Sequence, residues 1–142
     1  MKNTVRKLNQ DDYLFENSFR TNEELDHDLK NNYVYLGYFI NDKLVSFISF
    51  IILGEELEIH YLVTDNSYQK KGYADILLAY LIKNYQLIMF LEVSIKNTVA
   101  INLYKKHGFA IINSRVGYYL NGDDAIILRR WFNGYNYFSN RN

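Results

Sequence analysis

The first half of the chain is written mostly with the two-residue period of half-buried strands. Thr4 to Leu8 alternates and predicts a short first strand. Tyr33 to Ile40 and Lys43 to Leu53 predict two strands joined by the turn Asn41-Asp42. Gly54-Glu55 turns the chain again, and Glu56 to Thr64 predicts a further strand. Between the first strand and this hairpin, Asp11 to Phe19 and Thr21 to Asn31 predict two short helices. Thr21 with Glu24 three residues later fits a capping box at the start of the second.

The period then changes. Ala74, Leu77, Leu78, Leu81, Ile82 and Tyr85 follow the spacing of an amphipathic helix. Met89 to Ile95 predicts a short apolar strand. Thr98 to His107 predicts another helix, with Ala100, Leu103, Tyr104 and His107 on one side and Gly108 at its end. Ala110 to Tyr119 and Asp124 to Phe132 predict a last pair of strands around Asn121-Gly122, a favoured hairpin turn. Asn133 to Asn142 reads as a loose tail. The strand-helix-strand unit in the middle requires a parallel pair, and the flanking hairpins are antiparallel. The expected class is α/β (α+β): a mixed, mostly antiparallel central sheet of about seven strands, with helices on both faces.

Composition narrows the function classes. The 142 residues suit one domain, expected over 1–132 with the tail over 133–142. Sixteen basic and sixteen acidic residues give a formal net charge of zero, which argues against a general nucleic-acid binder. The longest apolar run, Phe47 to Leu53, falls far short of the roughly 20 residues that span a bilayer. The N-terminus shows no basic-then-apolar leader, so a cytoplasmic protein is expected, off the membrane, as a monomer or weak dimer. Cysteine is absent, which removes disulfides, thiolate metal sites and a cysteine nucleophile. His27, His60 and His107 have no metal-binding spacing with carboxylates, and no metal is expected.

One loop carries chemistry. Asp65-Asn66-Ser67-Tyr68 leads from a strand into Gln69-Lys70-Lys71-Gly72-Tyr73-Ala74, where the long helix begins. Unpaired N–H groups and the dipole at a helix start attract anions, and a glycine lets a phosphate approach the backbone. Lys70 and Lys71 add positive charge, so a pyrophosphate suits the loop. Alone, the segment reads more readily as a solvated turn. It is neither a Walker loop nor the three-glycine dinucleotide fingerprint.

The loop resembles the Gln/Arg-x-x-Gly-x-Gly/Ala signature of the GCN5-related N-acetyltransferases, the GNAT family. Leu91-Glu92-Val93, Asn97, Ala100-Ile101-Asn102-Leu103-Tyr104 and Gly108-Phe109 are similar to the family's second signature, in the same order and spacing. Within the family the pattern is closest to RimI-type enzymes, which acetylate the N-terminal alanine of a small-subunit ribosomal protein. Tyr118-Tyr119 and Asp124-Ala125-Ile126-Ile127 also look like that group. The resemblance runs from about Leu57 to Leu128.

The resemblance implies acetyl-coenzyme A as donor. Gln69, Lys70, Lys71, Gly72, Tyr73, Ala74 and Asp75 would hold the pyrophosphate. The backbone of Leu62, Val63 and Thr64, on a splayed strand, would bind the pantetheine arm and stabilise an oxyanion. Glu92 would be the general base, Tyr104 the general acid that protonates the coenzyme A thiolate, and Asn97 a pantetheine contact. Tyr118 and Tyr119 would line the acceptor site. The acceptor is expected to be a peptide or protein N-terminus, whose α-amine has a pKa of about 8.

Each residue also has an ordinary structural reading. Glu92 could be a buried carboxylate paired with Lys, Arg or backbone, Tyr104 a core tyrosine, and Asn97 a helix cap. Asp75 stands where RimI-type sequences commonly carry a basic residue. Asn17-Ser18-Phe19-Arg20 replaces a segment that often holds Pro-Trp. Two other functions fit the same fold: acetylation of a small amine, and acyl-coenzyme A binding without catalysis.

Overall fold

The computed structural model describes residues 2–132. Seven strands form a sheet of order β1-β2-β3-β4-β5-β7-β6. They are β1 (Asn3–Lys7), β2 (Tyr33–Ile40), β3 (Lys43–Leu53), β4 (Glu56–Thr64), β5 (Ile88–Ser94), β6 (Ala110–Arg115) and β7 (Ala125–Arg130). Three α-helices accompany them: α1 (Asn22–Lys30), α2 (Tyr73–Asn84) and α3 (Thr98–Lys106). The expected parallel pair is β4 with β5, in register from Glu56↔Ile88 to Glu58↔Phe90. β4 continues for six more residues to Thr64.

Two expectations fail. Asp11 to Phe19 is not a helix. Its side chains bond to the local backbone instead: Asn17 Oδ1 accepts from the N–H groups of Phe19 and Arg20, and Asn17 Nδ2 donates to Phe15 O and Arg20 O. Asn favours such turns because its amide competes with the helical bonds. The last pair of strands is also shorter than expected: a tight turn forms at Tyr119–Gly122, with Gly122 N donating to Tyr119 O at 2.9 Å, but it sits inside a longer loop over 116–124. Asp124 Oδ1 accepts from Gly117 N at 2.8 Å, and Gly117 and Gly122 have φ of 63° and 89°. These local bonds take the backbone out of the ladder. The tail at 133–142 lies outside the described residues.

The chain divides into two compact units, residues 1–52 with 59–81, and 53–58 with 82–142. In the first, β3 is buried continuously from Leu44 to Phe50, which explains its unbroken apolar run. Phe15 and Tyr35 each lie 5.6 Å from the Phe47 ring. The β2–β3 turn places Asn41 and Asp42 at φ 48° and 68°, the pair of positive values a tight hairpin needs. Gly37 is forced by packing: a Cβ there would meet Leu8 and Leu44 methyls at 2.6 Å. In the second unit β5 alternates strictly, with Met89, Leu91 and Val93 buried. Helix α3 buries Ile101 and Tyr104.

One buried carboxylate ties the irregular segment 11–20 to the first unit. Asp28 is 4% exposed. Both its oxygens accept from Arg20 at 3.1 Å, and Oδ2 also accepts from the Tyr35 hydroxyl at 2.5 Å. Arg20 also pairs with Glu24, in the capping box at Thr21, and its guanidinium lies over the Tyr61 ring. Burial disfavours the Arg20 cation, but the bonds to Asp28 and Tyr35 outweigh it and its pKa rises. Removing one partner of such a network strands the rest. Asp28→Ala is expected to lower unfolding stability by about 3 kcal/mol, and Tyr35→Phe by about 1 kcal/mol. Urea midpoints of the two variants, compared with the unaltered chain, check the ranking.

Candidate active site

In the first unit, β4 ends at Thr64 and a short 3-10 turn, Asn66–Tyr68, follows, capped by Asp65. Gln69 Nε2 donates to Thr64 O at 3.2 Å and to Asn66 Oδ1 at 3.1 Å, which fixes the loop against the strand end. Lys70 and Gly72 have φ of 62° and 86°. An added Cβ on Gly72 would meet nothing within 4 Å. The glycine therefore serves backbone conformation and leaves open space above itself. Ile76 N is bonded to Gly72 O at 3.1 Å, so Tyr73, Ala74 and Asp75 stand in the first turn of α2, where N–H groups lack helical partners. These features suit a bound anion. Lys71 also lies 5.5 Å from the Tyr68 ring, and Tyr73 packs against Tyr38 at 4.7 Å.

A groove of about 890 Å³ opens beside β4. One side is Glu16 to Phe19, and the other is Leu62 to Ser67 with Gln69. Ser46 Oγ donates to Val63 O at 3.0 Å, holding the strand end from the β3 side. The charged side chains that line the groove, Glu16 and Asp65, are both acidic.

In the second unit, Glu92 sits mid-strand in β5, opposite Ile127 of β7. Oε1 faces Arg115 Nη2 at 3.6 Å. Oε2 is buried and has no partner among the described residues. The Arg115 guanidinium lies 5.4 Å from the Tyr118 ring, and Tyr118 meets Tyr119 edge-on at 5.2 Å. Burial first, then the negative charge of Glu92 and the Tyr118 phenol, push the Tyr119 pKa up. The four residues Glu92, Arg115, Tyr118 and Tyr119 thus form one cluster at the start of the 116–124 loop.

Asn97 caps α3, its Oδ1 accepting from Ala100 N at 3.2 Å. Tyr104 lies two turns further on, so the two residues share a helix face about 10 Å apart along the axis. Tyr104 is 4% exposed and packs edge-on against Phe109 at 5.2 Å. Burial pushes its phenol above the ordinary value, so it stays protonated across the neutral range.

Sequence reasoning placed Glu92, Tyr118 and Tyr119 in one site, and they do cluster. It missed Arg115. The signal was present in Ile111-Ile112, two adjacent apolar residues that break the alternation of β6.

The sequence profile described as the acetyltransferase (GNAT) family matches residues 2–109. The chain belongs to the GNAT family. A [ribosomal protein bS18]-alanine N-acetyltransferase of Haemophilus ducreyi is 35% identical over 91 residues, 61% of this chain and 63% of that protein. The crystal structure of the ribosomal-protein-S18-alanine N-acetyltransferase from Escherichia coli is 25% identical, with a TM-score of 0.77 over 96% of this chain and 99% of that one. A GNAT acetyltransferase from Elizabethkingia anophelis, solved with acetyl-CoA bound, shares the fold at 18% identity and a TM-score of 0.74, over 92% and 98% of the two chains. The chain spans less than two thirds of the length of the curated relatives it matches, 31% of one and 63% of the other.

The phenol of Tyr104 makes stability sensitive to alkali. In the unfolded chain it loses its proton near pH 10, and in the fold burial retains it. Above that pH the native state binds more protons than the unfolded one, so this contribution is complete below the unfolded value and shrinks as pH rises beyond it. Tyr104→Phe is expected to reduce the stability lost between about pH 8 and about pH 11, read as the shift in urea midpoint.

Proposed function

We propose that this GNAT protein transfers the acetyl group of acetyl-coenzyme A to an amine, with the N-terminal α-amine of a protein as the favoured acceptor. The single observation that carries the catalytic reading is Glu92 Oε2, a buried carboxylate oxygen with no partner among the described residues, whose charge is felt by Tyr119. Such an oxygen accepts a proton readily when an ammonium or a water reaches it. The Haemophilus and Escherichia coli enzymes act on the alanine of a ribosomal protein, which supports a peptide acceptor here.

The roles follow residue by residue. The N–H groups of Tyr73, Ala74 and Asp75, with Gly72 and the lysines Lys70 and Lys71, bind the donor's pyrophosphate. Backbone groups of Leu62, Val63 and Thr64 take the pantetheine arm, and Asn97 offers an amide to it. Glu92 takes the amine proton, the amine attacks the thioester carbonyl, and Tyr104 protonates the departing thiolate. With no cysteine in the chain, transfer is direct rather than through an acetyl-cysteine. Tyr118 and Tyr119 pack against the acceptor.

A second reading draws on a different observation. The acidic pair Glu16 and Asp65 along the β4 groove favours a small cationic amine, such as a polyamine, over an anionic acceptor.

Mass spectrometry of acetyl-CoA incubated with Ala-, Ser- and Met-initiated peptides, and with spermidine, separates the two. Peptide acetylation at the α-amine is expected; modification of spermidine alone would replace the first reading with the second. Glu92→Gln and Tyr104→Phe should each lower kcat by about a hundredfold or more. Unchanged turnover in both would remove the acid-base assignment. Gly72→Val, which strains a backbone at φ 86°, should raise the KM for acetyl-CoA without altering the KM for the peptide.

A further inference from the structure

Arg115 meets Glu92 because of a fault in the register of β6. Ile111 pairs with Leu128, but Asn113, not Ile112, pairs with Ile127. One residue is therefore inserted at Ile112, a β-bulge. Strand side chains alternate faces, so this insertion reverses the parity of every residue that follows. Across the sheet, Asn113, Ile127 and Glu92 form one row. Arg115, two residues beyond Asn113, projects to the same face as Glu92. With an unbroken register, Ser114 would occupy that face and Arg115 would point away.

The pair this creates is asymmetric. Arg115 Nη2 stands 3.6 Å from Oε1 and leaves Oε2 buried and without a partner among the described residues. The guanidinium is also held over the Tyr118 ring at 5.4 Å, which limits its swing. Its side chain is 51% exposed, against 26% for Glu92, so the cation reaches in from the rim while the carboxylate lies deeper.

We propose that Arg115 is a positioning residue: set on Glu92's face by the bulge at Ile112, it holds Oε1 and so fixes Oε2 as the oxygen that accepts the amine proton. The inference rests on the assignment of Glu92 as general base. Arg115 touches neither donor nor acceptor in this scheme. It acts only through the carboxylate, so its loss should cost rate rather than affinity.

A double-mutant cycle on the full chain, with acetyl-CoA and an Ala-initiated peptide, tests both layers. Arg115→Ala is expected to lower kcat by about tenfold with the KM for peptide unchanged. Added guanidinium chloride at millimolar concentration should restore part of that loss, and Arg115→Lys should lose less than Arg115→Ala. In the Glu92→Gln background, Arg115→Ala should have no further effect. Three results overturn the inference while leaving Glu92 in place: an Arg115→Ala kcat equal to that of the unaltered chain, a raised peptide KM at constant kcat, or an equal fractional loss in both backgrounds. If Glu92→Gln itself turns over normally, the base assignment fails and the inference falls with it; if the unaltered chain acetylates spermidine and no such peptide, the same cycle is read with spermidine, and the same three results overturn the inference.

Discussion

A carboxylate taken out of water costs several kcal/mol unless donors meet its oxygens, and this chain meets that demand at Asp28 with three hydrogen bonds, whereas Glu92 has a cation 3.6 Å from one oxygen. Asp28 receives two bonds from Arg20 and one from Tyr35. The result is a fixed joint between α1, β2 and the irregular segment before them. Because Asn17 organises the adjoining turn through three neighbouring residues, the wall formed by Glu16 to Phe19 holds its shape without helical hydrogen bonds. The groove beside β4 depends on that wall. Asp28 is therefore structural: it is buried, and both its oxygens are already engaged by Arg20 and Tyr35.

Strand parity is the second constraint. Because side chains alternate, a half-buried strand can carry a core face and a chemical face at once. β5 does so: Met89, Leu91 and Val93 fill the core, and Glu92 lies between them on the other face. The bulge in β6 exploits the same rule in reverse. One inserted residue changes which side chain arrives beside Glu92, at a cost confined to an edge strand. Bulges are tolerated there because only one neighbour must adapt.

This division explains what the sequence made legible. Periodicity located β2, β3 and β4 to the residue, since a continuous or alternating apolar run has few other solutions. The glycine loop and Tyr104 were singled out by the resemblance to the two GNAT signatures, and Glu92 also by its intrusion into an apolar strand. The segment Asp11 to Phe19 was misread because its composition tolerates a helix, while Asn17 and the distant Asp28 decide otherwise. The loop 116–124 was misread only in part: a tight turn does form at Tyr119–Gly122, as Asn121-Gly122 signals, but Asp124 bonds back to Gly117 and Asp123 accepts from Ser94 of β5, so the strands stop short of the turn. Arg115 was invisible because its direction depends on register with β7. No local pattern states that register, although the doubled isoleucine marks where it slips.

Two buried oxygens without partners among the described residues bear on function differently. Ser49 Oγ lies in β3 at 1% exposure, deep among apolar side chains. A neutral hydroxyl left unbonded costs about 1–3 kcal/mol, which a large core offsets. Glu92 Oε2 belongs to a group paired with a cation, so its electrostatic stakes are higher. The Arg115 cation stands 3.6 Å from the other oxygen, an ion-pair distance, and Tyr119 feels the charge of the carboxylate. A purely structural ion pair would gain by letting Arg115 bridge both oxygens, as Arg20 does at Asp28. The contrast between the two Arg–carboxylate pairs in one chain is thus geometric, and it is the ground on which the proposed role of Glu92 rests.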